Sequence, residues 1–247
     1  MNTTLNYQKI EDATTKWLQN YLDQSGCTGF VVAISGGIDS SVTVVLCRRV
    51  TDATLGLILP CGHTPKDAAQ DAQILAEQFD IEYQTYDLTA AYESLLLSFG
   101  LTLGTPVTIP MANIKARLRM VTLYYEANQR NRLVVGTGNR TELVLGFFTK
   151  YGDGGVDLLP LGNLLKREVC GLARHLGIPE HICSKIPSPG LWPGQTDEGE
   201  LGASYDQLDD LILGKTPKDL TQEQLNHFRQ RMSVNEHKRR LPPICIQ

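Results

Sequence analysis

Short apolar runs alternate with amphipathic stretches along most of the chain. Four runs rich in aliphatic, β-branched or aromatic residues predict strands at 30–34, 55–59, 81–86 and 133–136. Apolar residues at every third or fourth position predict helices at 5–22, 40–50, 67–79, 90–97, 113–128 and 163–176. The last of these has Asn163 as its expected N-cap and Gly177 just past its end. The final part of the chain is polar and is predicted to be helical over 198–213 and 221–240.

Strands that alternate with helices indicate βαβ units around a parallel sheet. We therefore expect an α/β fold: a single domain over 1–247, with a twisted parallel sheet flanked by helices and a helical C-terminal region. No repeat or linker-like segment divides the chain. No apolar run approaches the ~20 residues of a membrane span, and the first residues do not have the pattern of a secretory signal.

Composition narrows the class of function. The chain of 247 residues is 42% hydrophobic and 20% charged, as expected of a globular protein. Its net charge of −4 argues against a general nucleic-acid binder but allows a local basic pocket for a phosphorylated small molecule. The six cysteines lack the spacing of a zinc site, so we expect reduced thiols in a cytoplasmic protein.

A glycine and serine turn, SGGIDSS, lies between the first predicted strand and its helix at 35–41. Glycines let the backbone approach an anion, and the free N–H groups at a helix start bind phosphate oxygens. Asp39, within the turn, is a candidate ligand for a divalent cation. The turn has neither the Walker pattern nor G-x-G-x-x-G, so it does not indicate a P-loop or a Rossmann dinucleotide site.

A second polar turn, GTGNRTE at 136–142, follows the last predicted strand. Glu142 is a candidate to share Mg²⁺ with Asp39, since Mg²⁺ takes one or two carboxylates together with substrate phosphates. Taken alone, Glu142 is better explained as a solvated charge at a helix start than as a metal ligand. The pairing depends on whether the fold places the two strand ends side by side.

Longer motifs point to a family. The first turn resembles the nucleotide loop of the N-type ATP pyrophosphatases, whose fold is Rossmann-like and of the adenine nucleotide alpha hydrolase type. The string GFFTKYGDGGVDLLPL at 146–161 resembles the ammonia-dependent NAD⁺ synthetases. Further segments resemble that family at 113–120, 164–167, 185–188, 195–205 and 236–239. The resemblance covers roughly 5–243.

The resemblance implies that the nicotinate carboxylate of deamido-NAD⁺ attacks ATP, forming an adenylate and pyrophosphate, and that ammonia then displaces AMP. It implies ATP contacts from Ala33, Ile34, Ser35, Gly36, Gly37, Ile38, Asp39, Ser40, Thr137, Lys166 and Ser188, with Asp39 and Lys166 catalytic. It implies deamido-NAD⁺ contacts from Arg117, Tyr124, Phe147, Lys150, Asp157, His237 and Lys238. Mg²⁺ would be held by Asp39 and Glu142. No enzyme nucleophile is needed, because catalysis comes from holding two anions together and neutralising charge.

The resemblance also implies a homodimer whose dinucleotide site is partly built by the second chain. The apolar and aromatic helix at 118–125 is a candidate interface element, although such a helix also suits an ordinary core. No glutaminase segment precedes the first helix, so free ammonia is the expected nitrogen donor, directly or from a separate glutaminase.

One segment departs from the family pattern. Residues 188–194 read SPGLWPG where relatives carry [ST]-A-x-L, which places the contact made by Ser188 in question. Glycine and proline beside a site are typical of lids, so we expect 187–197 to be mobile without nucleotide. Two rival functions remain at this stage: the ATP-pyrophosphatase domain of a GMP synthetase, and a nucleotide sensor without catalysis.

Overall fold

The computed structural model describes residues 5–62, 66–192 and 194–245. Its described strands are β1 (Gly29–Ala33), β2 (Thr54–Ile58), β3 (Glu82–Thr85) and β4 (Arg132–Val135). All pair in parallel, in the order β3-β2-β1-β4. Val31 of β1 lies opposite Leu55 of β2 on one side and Val134 of β4 on the other. The turns that follow β1 and β4 therefore emerge next to each other at the carboxyl edge of the sheet.

Helices cover both faces of this sheet, as the strand–helix alternation predicts. The described helices are α1 (Tyr7–Ser25), α2 (Ile38–Val50), α3 (Lys66–Gln78), α4 (Thr89–Ser98), α5 (Ile109–Arg130), α6 (Arg140–Leu145), α7 (Lys166–His175), α8 (Glu180–Cys183), α9 (Asp197–Leu201), α10 (Tyr205–Ile212), α11 (Gln222–Val234) and α12 (Glu236–Arg239). The α/β class is confirmed, and each predicted strand is present to within one or two residues. None of the described helices is long and apolar enough to cross a membrane.

The period-2 geometry of β1 divides the core into two layers. Phe30 and Val32 pack with residues of α1, α2 and α7, whereas Val31, between them, packs with Leu123 of α5. Each strand residue is therefore buried on one face or the other, which explains why the run is apolar without alternation. A third cluster, built from α6, α10 and α11, forms the helical C-terminal region.

Several predicted helix bounds are wrong, for local reasons. Helix α7 begins at Lys166 rather than after Asn163, because the carbonyl of Leu164 accepts a hydrogen bond from the N–H of Arg140 (2.8 Å) and the preceding residues form turns. The segment 198–213 is two helices, because Gly202 has φ +79° and stops α9. The segment 221–240 likewise divides at Asn235 into α11 and α12.

The remaining differences are additions. Helix α5 starts at Ile109 rather than 113, with a proline in its first turn. The sequence suggested only a helix start near Glu142, where α6 forms, and it did not predict α8. The structure places no disulfide among the six cysteines.

Candidate active site

The turn between β1 and α2 is closed by its own polar groups. Gly36 has φ +77°, and a Cβ there would lie 2.2 Å from the carbonyl oxygen of Ala68, so only glycine fits. The Ser40 hydroxyl accepts a hydrogen bond from the N–H of Ser35 (3.1 Å) and donates one to the carbonyl of Gly37 (2.9 Å). This preformed bend leads directly into the N-terminus of α2, where the helix dipole favours an anion.

Asn139 joins the two turns. This fully buried residue caps α6: its Oδ1 accepts from the N–H of Glu142 (3.0 Å), and its own N–H donates to Oε2 of Glu142 (3.1 Å). Its Nδ2 donates to Oδ1 of Asp39 (3.0 Å). The two carboxylates that the sequence suggested as a pair are thus both held by Asn139, Asp39 through the side chain and Glu142 through the backbone N–H. Asn139 was not among the predicted site residues, although N-x-x-E is a capping-box pattern that marks it.

Lys166 completes this group from the first turn of α7. Only 4% of the residue is exposed, and its ammonium pairs with the Asp39 carboxylate and lies 4.8 Å from the centre of the Tyr205 ring. Burial disfavours the charge on Lys166, but Asp39 and Glu142 outweigh burial and raise its pKa above the ordinary value. Lys166 is therefore a fixed positive charge next to two carboxylates.

Glu142, in contrast, is disfavoured in its charged form. Burial, and then the negative charge of Asp39, raise the pKa of Glu142 to about 8, although Lys166 opposes them. If Glu142 ionised, the site would carry more negative charge than Lys166 neutralises. An added cation would relieve that excess.

Asp197 and Tyr205 lie beside this cluster. Both belong to the motif at 195–205, but neither was among the predicted site residues. The Tyr205 hydroxyl donates to Oδ2 of Asp197 (2.7 Å) and lies 3.5 Å from Oε1 of Glu142. Only 6% of Asp197 is exposed, and its Oδ1 has no hydrogen-bond partner among the described residues. Burial raises the pKa of Asp197.

One cavity of about 590 Å³ collects these groups. Its lining includes every predicted ATP contact: 33–40, Thr137, Lys166 and Ser188. Glu142, Phe147 and Lys238 also line it, as do Arg119 and Arg231, which were not predicted. The guanidinium of Arg231 lies 5.6 Å from the centre of the Phe147 ring. The lining contains five basic side chains, Arg119, Lys166, Lys185, Arg231 and Lys238, together with five acidic ones.

The chain matches the NAD synthase family model over residues 10–242. It belongs to the NAD synthase family. It is 42% identical over 243 residues to the NH(3)-dependent NAD(+) synthetase of Carboxydothermus hydrogenoformans, covering 97% of this chain and 98% of that protein.

Two solved structures are also similar. One is an NMN synthetase from Francisella tularensis, 37% identical with a TM-score of 0.91, covering 98% of this chain and 99% of that one. The other is an NH3-dependent NAD synthetase from Campylobacter jejuni, 27% identical with a TM-score of 0.79, covering 98% and 100% of the two chains.

The residues expected to contact deamido-NAD⁺ divide into two sets. Phe147 and Lys238 line the cavity, and the Lys238 ammonium donates to the carbonyls of Gly146 (2.7 Å) and Phe148 (2.9 Å). The remaining five do not belong to the cavity lining: Arg117, Tyr124, Lys150, Asp157 and His237.

Those five form two small groups, which we call the outer set. In one, Arg117 donates to the carbonyl of Lys150 (3.3 Å), and the Lys150 ammonium donates to that of His237 (2.6 Å). In the other, the Tyr124 hydroxyl donates to Oδ1 of Asp157 (2.9 Å). Burial and this hydrogen bond raise the pKa of Tyr124. The outer set is therefore organised by its own hydrogen bonds, but it does not line the cavity of its own chain.

The segment 187–197 forms a loop beside the cavity that is held by hydrogen bonds within the segment. Residue 193 lies outside the described residues. The Ser188 hydroxyl donates to the carbonyl of Gln195 (2.6 Å), and the N–H of Asp197 donates to the carbonyl of Pro187 (2.9 Å). Lys115 of α5, only 1% exposed, donates to the carbonyl of Leu191 (2.7 Å). These contacts describe a folded loop, and its expected mobility without nucleotide stays a prediction.

The carboxylates present fit a magnesium ion that arrives with a nucleotide. Among the described residues, no group of three or more His, Cys, Asp or Glu side chains is arranged to hold a metal on its own. Asp39 and Glu142 present two carboxylates held by one residue, Asn139, and Mg²⁺ commonly takes one or two carboxylates and completes its shell with water and phosphate. The raised pKa of Glu142 agrees with a site that lacks positive charge.

Proposed function

We propose that this chain catalyses the ATP-dependent amidation of deamido-NAD⁺ by ammonia, yielding NAD⁺, AMP and pyrophosphate. The observation that carries the proposal is that one cavity is lined by the glycine turn after β1, the Asp39–Lys166 pair and Glu142, which Asn139 holds beside Asp39. Membership of the NAD synthase family and 42% identity to a curated ammonia-dependent enzyme support the same conclusion.

The chemistry follows from these groups. The turn over 35–37 and the N-terminus of α2 bind the triphosphate of ATP through backbone N–H groups. A nicotinate carboxylate oxygen attacks the α-phosphorus, and the bond to pyrophosphate breaks. Lys166 neutralises the charge that builds up on the phosphates. Ammonia then attacks the carboxyl carbon, AMP leaves with the C–O bond electrons, and the excess proton passes to solvent.

We further propose that Asp39 and Glu142 hold Mg²⁺ when ATP is bound, with Asn139 fixing the two carboxylates. The ion supplies positive charge at the phosphate oxygens. We also propose a cytoplasmic location, which the six cysteines without disulfides support.

We propose that the outer set serves the cavity of a second copy in a homodimer. In support, the outer set lies outside the cavity of its own chain, and Val121 and Tyr125 of α5 are 59% and 58% exposed. Leu123, on the opposite face of the helix, is core. Helix α5 thus has both a core face and an apolar exposed face. Light scattering after size-exclusion chromatography tests the dimer: a monomer at all concentrations contradicts it.

A second candidate function is amidation of the corresponding mononucleotide, nicotinate mononucleotide. The observation that favours it is the TM-score of 0.91 to an NMN synthetase, against 0.79 to the Campylobacter NAD synthetase. A mononucleotide lacks the AMP half and needs fewer contacts outside the cavity. The ratio of kcat/KM for deamido-NAD⁺ and nicotinate mononucleotide decides between the two substrates.

The deciding experiment measures pyrophosphate release with ATP, Mg²⁺ and ammonium. We expect release with deamido-NAD⁺, saturation with ammonium, and no release when glutamine alone replaces ammonium. A glutamine-driven rate from the pure protein contradicts the ammonia dependence. If pyrophosphate is released with neither deamido-NAD⁺ nor nicotinate mononucleotide, the proposed function is wrong. That result would favour a sensor or a synthetase that acts on another carbonyl compound.

A further inference from the structure

Asp209 of α10 does not line the cavity, but its carboxylate joins the two helices that carry Glu142 and Lys166. Asp209 is fully buried. Its Oδ1 accepts a hydrogen bond from the Thr141 hydroxyl. Its Oδ2 accepts two from Arg167, one from the backbone N–H (3.0 Å) and one from Nε (3.1 Å).

The direction of these bonds is determined by the Lys166 backbone. The N–H of Lys166 donates to Oγ of Thr141 (3.2 Å). A hydroxyl carries one proton, so Thr141 accepts from Lys166 and gives its own proton to Asp209. The buried carboxylate is thus linked to the first turn of α6 through Thr141 and to that of α7 through Lys166 and Arg167.

Each residue held in this way is adjacent to a group of the site. Thr141 directly precedes Glu142, and Arg167 directly follows Lys166. An anion at the start of α7 also meets the free N–H groups and the positive end of the helix dipole. A rotation of α7 or a shift of α6 would move the Lys166 ammonium relative to Asp39 and Glu142.

We propose that Asp209 is a positioning residue for ATP activation, which sets the separation of Lys166 and Glu142 by tying the first turns of α6 and α7 together. This rests on the proposed function, in which Lys166 and Glu142 act at the ATP phosphates. Asp209 touches neither substrate. It acts through Thr141 and the backbone of Arg167.

The test compares Asp209→Asn with a matched control, Asp210→Asn. Asp210 is the next residue and also pairs with Arg167 (2.9 Å), but it lies on the surface side and does not touch Thr141 or the backbone of α7. We expect Asp209→Asn to lower kcat about 10- to 100-fold and to raise KM for ATP, because small misplacements of catalytic groups cost that much. KM for the nicotinate substrate should stay unchanged, and Asp210→Asn should behave as the parent.

Thr141 provides a second variant if Asp209→Asn fails to fold. Thr141→Val keeps the shape and removes the hydroxyl, so it should reproduce the loss in kcat and the weaker ATP binding, and Thr141→Ser should restore both. The proposal is overturned if folded Asp209→Asn or Thr141→Val keeps kcat and KM for ATP within about twofold of the parent. It is equally overturned if Asp210→Asn loses as much as Asp209→Asn.

Calorimetric titration with ATP and Mg²⁺ separates this proposal from the proposed function. If the parent binds ATP but turns over neither nicotinate nucleotide, the proposed function fails while the positioning role is still measured. In that case Asp209→Asn and Thr141→Val should bind ATP more weakly than Asp210→Asn. Equal affinities in all three variants would end the positioning proposal.

Discussion

The side-chain amide of Asn139 donates a 3.0 Å hydrogen bond to the carboxylate of Asp39, across 100 residues of sequence. The contact exists because β4 pairs with β1, which places the turns after the two strands side by side. The other polar groups of Asn139 cap α6 and hold Glu142. A single residue thus links the turn after β1 to the second carboxylate: its side chain binds Asp39, and its backbone N–H binds the Glu142 carboxylate.

Asp39→Asn should lose at least about 100-fold in turnover, because it removes both a carboxylate of the proposed metal site and the partner of Lys166. The fold should persist, since Asp39 is only partly buried. Pyrophosphate release and circular dichroism measure the two effects. Asp52→Asn, just past the opposite end of α2 and 91% exposed, is the control and should retain full rate. An active Asp39→Asn protein would remove Asp39 from the site.

Asn139→Asp should keep the cap of α6 but lose the hydrogen bond to Asp39. It places a buried carboxylate against Asp39, so activity should fall sharply, and the free energy of unfolding should fall most at high pH, where both carboxylates are ionised. Asn139→Ala should also lose about 1–2 kcal/mol in the free energy of unfolding, because it lacks the cap. Thr221→Ala removes the cap of α11, far from the cavity, and is the control. It should lose stability without losing rate, and a comparable loss of rate there would contradict this account.

The free energy of unfolding without ligand should fall as the pH rises from about 4.5 to about 8, because the stabilising contribution of protonated Glu142 is lost over that range. Its pKa is raised to about 8 in the fold from an ordinary value of 4.5, so the folded state holds the proton more tightly. This contribution is complete below the unfolded pKa and is lost as the pH passes the folded pKa. Glu142→Gln mimics the protonated form and should be as stable as the parent at pH 5 but more stable at pH 8.

Urea unfolding at both pH values checks this expectation, with Glu223→Gln, an exposed carboxylate in the first turn of α11, as the control. A parent and a Glu142→Gln variant with parallel pH profiles would show that Glu142 is ionised at neutral pH in the free protein. The variant should in either case release pyrophosphate more slowly than the parent.

Lys115→Met should loosen the segment 187–197. The buried ammonium donates to the carbonyl of Leu191, and burial lowers the pKa of Lys115, so a methionine of similar length fits the space but cannot make the bond. Hydrogen exchange at 190–192 should speed up, and KM for ATP should rise. Lys218→Met, at an exposed site, is the control.

Hydrogen exchange in the unmutated protein tests whether the segment 187–197 is mobile without nucleotide. Its amides should exchange faster without nucleotide than with ATP and Mg²⁺. Strong protection across the segment in the free protein would show that it is not a lid.

The α/β fold class and most of its elements follow from local sequence patterns. Apolar runs such as 30–34 encode buried strands, because a strand covered on both faces has no polar side, and the glycine turn at 35–37 encodes a bend that other residues cannot adopt. The same local signals placed α7 too early, since no local pattern tells that the carbonyl of Leu164 is taken by Arg140. They also missed the break at Gly202, where a tight turn interrupts an otherwise continuous helical pattern.

The site was predicted in part. All eleven candidate ATP contacts line the cavity. The motifs could name them because they lie in or beside the glycine turn after β1 or in recognisable strings. The link through Asn139, the support from Asp209 and the unpartnered oxygen of Asp197 were not predictable, since each depends on packing between elements far apart in the chain. The sequence alone thus determines which residues can bind a nucleotide, through periodicity and turn chemistry acting over a few neighbours. Only the tertiary structure decides which of them meet, because strand order and helix packing set the distances over which charge and hydrogen bonding act.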